Sequence, residues 1–295
     1  MAFANQLLEA ARAYRNFAGG LNVAGNPEVG IQNTRLLGGK SIKQHFILLM
    51  AGRRLSAPNF SRLANEIEKT MFAWLITGTP GKEYERRIVE AAHRLNHIGD
   101  ADFVAFVEGY LVKERTSLAA DFHRVLVQLD ARRLRAFRLR YLLAKLTQHV
   151  DFEAYGESES RNRLADYTAG GNDIEHILPD RGLPSAMEEF GAGADSQDNI
   201  QRLGNLMLIE LSINRAIQNQ PYSVKKLSYL QSKFLLAKCQ ADTAGQQVGV
   251  ADRITRTVQS LECWPEWNAN SVRVRQQFLA RLAHRVWDVR SEVGA

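Results

Sequence analysis

Asp173-Ile174-Glu175-His176-Ile177-Leu178-Pro179 is the stretch on which the reading of this chain turns. It follows the turn-forming run Ala169-Gly170-Gly171-Asn172 and alternates polar with apolar residues, which predicts a short strand over 173–178 that Pro179 bends or stops. Further on, Arg202-Leu203-Gly204-Asn205-Leu206-Met207-Leu208 predicts a second short strand over 206–209, after a loop rich in Gly, Ser and Asp over 181–198. Asn214 then falls on a helical pattern. The order is strand, loop, strand, helix, and a small hairpin packed on a helix is a rigid frame for a few reactive side chains.

The residue types carried by that frame point to phosphodiester hydrolysis. The reaction needs a base to deprotonate water and a cation to neutralise charge growing on the phosphate and the leaving oxygen. His176 is the candidate base, because an imidazole titrates near neutrality. Glu175 offers a hard oxygen ligand for Mg²⁺ or Mn²⁺, an ion type that keeps several waters and needs one or two protein groups, and Asn214 is the candidate for the second. On a flat strand Glu175 and His176 point to opposite faces, so both can serve one metal-water pair only where the strand bends or ends.

Composition sets the surroundings. A chain of 295 residues with 45% apolar content can bury a sizeable core in one large or two smaller domains. No apolar run is long enough to span a bilayer and no secretory signal pattern opens the chain, so the sequence reads as cytoplasmic and without a membrane partner. Cys239 and Cys263 are the only cysteines, which excludes a disulfide framework and a four-cysteine zinc knuckle and leaves oxygen and nitrogen to hold any metal. A net charge of +6 and a pI near 9.4 favour a polyanionic partner.

Residues 1–150 read as a helical scaffold domain. The clearest stripe is Phe60, Leu63, Ile67, Met71 and Trp74, which starts near Pro58-Asn59 and stops at Gly78-Thr79-Pro80. A further stripe over 131–146 carries the densest basic run, Arg132-Arg133-Leu134-Arg135-Ala136-Phe137-Arg138-Leu139-Arg140, which is either a solvated helix face or a surface that tracks phosphates. The polar run from Tyr155 to Ser160 marks a change of composition, and 151–295 is read as the second domain, closed by helices in which Trp264, Trp267, Phe278, Leu282 and Trp287 are packing residues. His93 and His97 stand four apart with zinc-like spacing but without a third ligand nearby.

The string from Asp173 to Pro179, the middle Asn205 and Asn214 nine positions later resemble the ββα-metal site of HNH (His-Me finger) nucleases. More closely, Glu175-His176-Ile177-Leu178-Pro179, Gly204-Asn205-Leu206 with Glu210 and Asn214, Lys225 with Tyr229 and the Trp-rich helical tail are similar to the C-terminal domain of GmrSD-type restriction proteins, a family that includes sensors of phosphorothioate-modified DNA. The resemblance covers roughly 150–290. It implies a mainly α protein, a helical bundle followed by an embedded ββα-metal unit with C-terminal helices. It also implies a metal-dependent DNA endonuclease that nicks DNA in bacterial antiphage defence. On the same resemblance His176 is the general base, Glu175 and Asn214 hold the metal, and Asp173 is a supporting carboxylate. Asn205 bonds the hairpin loop so that His176 is aimed, and Lys225 contacts a phosphate oxygen. The family's N-terminal nucleotide-hydrolysing domain has no counterpart string here, so the chain is expected to be either a C-terminal fragment, with that domain elsewhere in a longer polypeptide or on a partner subunit, or a standalone nuclease. The rival reading is a non-catalytic helical module that binds DNA or partner subunits and keeps a decayed site.

Overall fold

A computed structural model of the protein describes residues 2–38, 42–249 and 252–290, and these are mainly helical with one two-stranded sheet. The chain divides into two compact units, one built from the residues up to Phe122 with the segment from Trp287 onward, the other spanning His123–Val286. A continuous helix crosses residue 150, where composition placed the boundary, because the apolar stripe through Leu146, Val150 and Ala154 carries on until Gly156 stops it at φ 75°.

In the first unit the predicted stripe forms α1 (Ala57–Thr77), with Pro58 in its first turn and Gly78 ending it in the left-handed conformation at φ 74°. Phe60, Leu63, Ile67, Met71 and Trp74 are all buried. The helix Val29–Gly38 crosses α1 so closely that a Cβ on Gly30 would lie 2.4 Å from the Ala64 carbonyl carbon, so glycine is required there. Arg115, fully buried, holds this unit internally by ion-pairing Glu66 at 2.6 Å and donating to Thr70 Oγ1 at 2.9 Å.

The second unit contains the sheet. α2 (Ala136–Tyr155) packs against the strand pair β1 (Asn172–His176) and β2 (Leu206–Glu210), which run antiparallel with Asp173 opposite Ile209, Glu175 opposite Met207 and His176 opposite Leu206. All four apolar residues of β2 are buried, the mark of a strand covered on both faces. β1 begins one residue earlier than its alternation suggests and ends two residues sooner. Beyond His176 the chain leaves the ladder for Asn205, whose backbone carbonyl accepts from Ile177 N at 3.0 Å and whose side-chain oxygen accepts from Leu178 N at 2.7 Å. β2 runs directly into α3 (Leu211–Ile217), followed by α4 (Tyr222–Tyr229) and, later, by α5 (Ala269–Val286), which packs on the turn Leu203–Asn205. Trp264, Trp267, Phe278 and Leu282 are buried in this unit as expected, and Trp287 is buried in the other.

The basic run departs from a single helix. Asp130 caps a short 3-10 turn over Ala131–Arg133 by accepting from Arg132 N at 2.8 Å; Leu134 and Arg135 are extended, and α2 starts only at Ala136. The competing side-chain cap at Asp130 breaks a periodicity that reads as unbroken in sequence.

Candidate active site

The sheet register explains why Asp173 and Asn214 meet. α3 begins where β2 ends, Ile209 faces Asp173 across the ladder, and one helical turn brings Asn214 back over that position. Asn214 Nδ2 donates to Asp173 Oδ2 at 2.9 Å. Arg140 of α2 approaches the same strand, donating from Nη1 to the Asn172 carbonyl at 2.8 Å and from Nη2 to Asp173 Oδ1 at 3.3 Å. Asp173 stays partly open to solvent.

His176 is the last residue of β1 and still pairs with Leu206 in the ladder. Its Nε2 is buried and has no hydrogen-bond partner among the described residues, while the side chain of Gln201 bonds the ring. Burial pushes the His176 pKa below the ordinary histidine value, against opposing pulls from Asp180 and Gln201. That shift favours the neutral imidazole, the form able to accept a proton.

Asn205 spends its whole side chain on bonds within the protein. Fully buried, it donates from Nδ2 to the carbonyls of Leu178 at 2.8 Å and Ile200 at 2.9 Å, and accepts at Oδ1 from Leu178 N and from Trp267 Nε1 at 3.0 Å. Its two bonds to Leu178 tie the chain just past His176 to the turn before β2, and those to Ile200 and Trp267 anchor that turn in the domain. Behind it, fully buried Gln276 accepts from Gly204 N at 3.1 Å, and Arg275 donates from Nη1 to the carbonyls of Gly204 and Leu206, each at 2.8 Å. Burial lowers the Arg275 pKa to about 10.

Two expectations change. Lys225 is not placed to contact a phosphate: it is fully buried, with Nζ donating to Glu175 Oε1 at 2.6 Å, to the His176 carbonyl at 2.8 Å and to the Ile177 carbonyl at 3.4 Å. An ammonium has three donors, and here all are spent on the protein. Glu175, read as a metal ligand, is instead buried and paired with that ammonium, and Tyr229 donates to the same Oε1 at 2.9 Å. Burial drives Glu175 upward and Lys225 downward in pKa, while each opposes the shift of the other through its charge. The pair holds the backbone of His176 and Ile177 and leaves Asp173 as the partly exposed carboxylate of the strand.

Arg140, Gln201, Arg275 and Gln276 were not singled out as site residues in the sequence. Each is a polar residue that reaches β1 or the turn before β2 from a distant segment, and no local spacing marks such contacts. Lys225 and Tyr229, four apart on α4, do share a helix face, which is a readable signal. His93 and His97 stack edge-on at 5.0 Å, and among the described residues no group of three or more His, Cys, Asp or Glu is arranged to hold a metal.

The second unit is thus a helical domain built around a two-stranded frame whose first strand ends on an imidazole with an unpartnered nitrogen and carries, nearer its start, a carboxylate bonded to a carboxamide. The family model of the C-terminal domain of GmrSD restriction endonucleases matches residues 116–282, more than half of the chain, and the chain belongs to that family. No curated protein matches the chain. Membership gives a restriction-nuclease setting with DNA as the substrate class. Among the described residues no helix is long and apolar enough to cross a membrane.

Proposed function

We propose that the protein is a divalent-cation-dependent endonuclease of the HNH type that nicks duplex DNA, with His176 as general base. The observation that carries this reading is the buried and unpartnered Nε2 of His176 at the end of the strand that also presents Asp173 to Asn214. A carboxylate and a carboxamide oxygen are hard donors that suit Mg²⁺ or Mn²⁺, and in one-cation sites of this kind water fills the remaining positions. Asp173 and Asn214 would hold the cation; Glu175, its Oε1 committed to Lys225 and Tyr229, fits that role less well. The cation would supply charge stabilisation at the scissile phosphate.

His176 takes the proton from the attacking water, Gln201 fixes the ring, and Asn205 with Lys225 fixes the backbone that aims it. The rival, a DNA- or subunit-binding module with a decayed site, draws on the occupation of Glu175 by Lys225. Supercoiled plasmid with Mg²⁺ or Mn²⁺ separates the two. Wild type should convert it to open circle, His176→Ala and Asp173→Ala should not, and EDTA should stop the reaction. Because burial lowers the His176 pKa, the base stays deprotonated below the usual histidine midpoint, so activity should persist under pH 6.5 before it falls. Equal nicking by wild type and His176→Ala removes His176 from the mechanism; no nicking by wild type on plain or phosphorothioate-modified DNA with either cation supports the rival.

A further inference from the structure

The basic run Arg132–Arg140 is tied to the candidate active site at both of its ends. At one end Ala131 N donates to the Gln201 carbonyl at 2.7 Å and Leu203 N donates back to Leu129 O at 3.0 Å, while Gln201 itself bonds the His176 ring. At the other end Arg140 grips the carbonyl of Asn172 and the carboxylate of Asp173. The arginines between these tethers are therefore held alongside the hairpin that carries His176.

They do not all have the same duty. Arg132 is folded onto Asp130 and Arg140 is spent on β1, so both have structural partners. Arg133 and Arg135 are exposed, and among the described residues their side chains take no hydrogen-bonding partner. Leu134 between them is extended and half-buried, while Arg133, the last residue of the 3-10 turn, and Arg135, just before α2, are exposed on either side of it. The placement also runs against what folding alone favours. α2 has no acidic residue in its first turn, and cations crowd the positive end of its dipole.

We propose that Arg133 and Arg135 form a landing ridge for the sugar-phosphate backbone of duplex DNA next to the phosphate presented to His176, a sequence-independent contact that sets register on the duplex. This inference rests on the nuclease reading. The test measures binding of a plain fluorescent DNA duplex across a NaCl series, in a His176→Ala background so that cleavage does not intervene. Removing both cations in Arg133→Gln/Arg135→Gln should lower the slope of log affinity against log salt by about 1.8, at roughly 0.9 per lost phosphate contact, and weaken binding about tenfold per arginine near 0.1 M salt. Arg273→Gln/Arg281→Gln removes the same net charge from exposed positions of α5 and should leave the slope close to the parent value. An unchanged slope in the ridge variant, or an equal fall in the control, overturns the ridge, and so does tighter binding of duplex RNA than of DNA. If the otherwise wild-type chain nicks plasmid while the ridge variant keeps its slope, only the ridge falls. Absence of both DNA binding and nicking would remove the nuclease reading with it.

Discussion

Replacing Lys225 by Met tests whether the buried ion pair is a scaffold or a phosphate contact. The substitution keeps the length and apolar stem of the side chain but deletes three bonds, to Glu175 Oε1 at 2.6 Å and to the carbonyls of His176 and Ile177 at 2.8 and 3.4 Å. Lys225 is fully buried and Glu175 nearly so, hence neither lost partner is replaced by bulk water. Removing one member of a buried pair costs about 3–5 kcal/mol, because the survivor stays desolvated without compensation. Glu175 can limit the loss by taking a proton, a change that its burial already favours, but the two carbonyls remain underserved. In a domain of this size about 3–5 kcal/mol lowers Tm by roughly 6–20 °C. The double change Glu175→Met/Lys225→Met removes both charges and should recover most of that loss, since apolar pairs of similar volume commonly match or exceed buried ion pairs. Differential scanning fluorimetry with urea titration at pH 7.5 reads both effects. A phosphate-contacting lysine would behave oppositely: Lys225→Met would melt with wild type and bind DNA more weakly with a shallower salt slope. Melting within about 1 °C of wild type refutes the scaffold argument.

Three further outcomes follow from the same coordinates. Asn205→Ala leaves Trp267 Nε1, Leu178 N and two carbonyls without their partner in a fully buried place, and should cost about 3–5 kcal/mol in urea titration; Asn205→Asp, which cannot donate to Leu178 and Ile200, should not rescue it. Gly204→Ala would set a Cβ 2.1 Å from the Val272 carbonyl oxygen and 2.9 Å from Gln276 Cβ, so α5 must shift; a loss of at least about 3 kcal/mol is expected by thermal melting, and soluble protein with unchanged Tm would contradict the close packing. Asp151 accepts from Leu235 N at 3.0 Å and from Tyr167 OH at 3.1 Å, yet burial raises its pKa from 3.8 to about 6. A raised carboxyl favours the protonated fold, so its contribution is full below about pH 4 and is lost as pH climbs through 6. Asp151→Asn should therefore be more stable than wild type by about 3 kcal/mol at pH 7.5 and by less than about 1 kcal/mol at pH 4, read from paired urea titrations.

Local pattern reveals the frame of this domain better than its polar interior. The alternation over Asp173–Pro179 marks β1, whose faces differ, and the unbroken apolar run after Asn205 marks β2, which is covered on both faces. The end of β1 is less legible: Ile177 and Leu178 continue the apolar trend, and only the tertiary bonds to Asn205 take them out of the ladder. The roles of Glu175 and Lys225 are hidden for a related reason. Fifty positions separate the partners, and an acidic residue before a histidine looks the same whether it faces a cation from solution or one from α4.

That distinction bears directly on the chemistry. β1 carries two carboxylates two residues apart, which share a strand face, and the protein meets them with two cations from different helices, Arg140 from α2 and Lys225 from α4. Lys225 buries its carboxylate, whereas Arg140 makes a longer contact with one that remains partly exposed and also meets Asn214. A metal reading that leans on Glu175 must break a buried ion pair to seat the ion; one that leans on Asp173 needs only a rotation of Asn214 to turn its carboxamide oxygen toward the same place. The second route asks less of the fold, and it makes Asp173→Asn more damaging to divalent-dependent nicking than Glu175→Gln at equal protein stability. Measuring nicking against Mn²⁺ concentration for these two variants, after matching their Tm values by choice of temperature, decides the assignment: greater loss in Glu175→Gln would return the metal to Glu175.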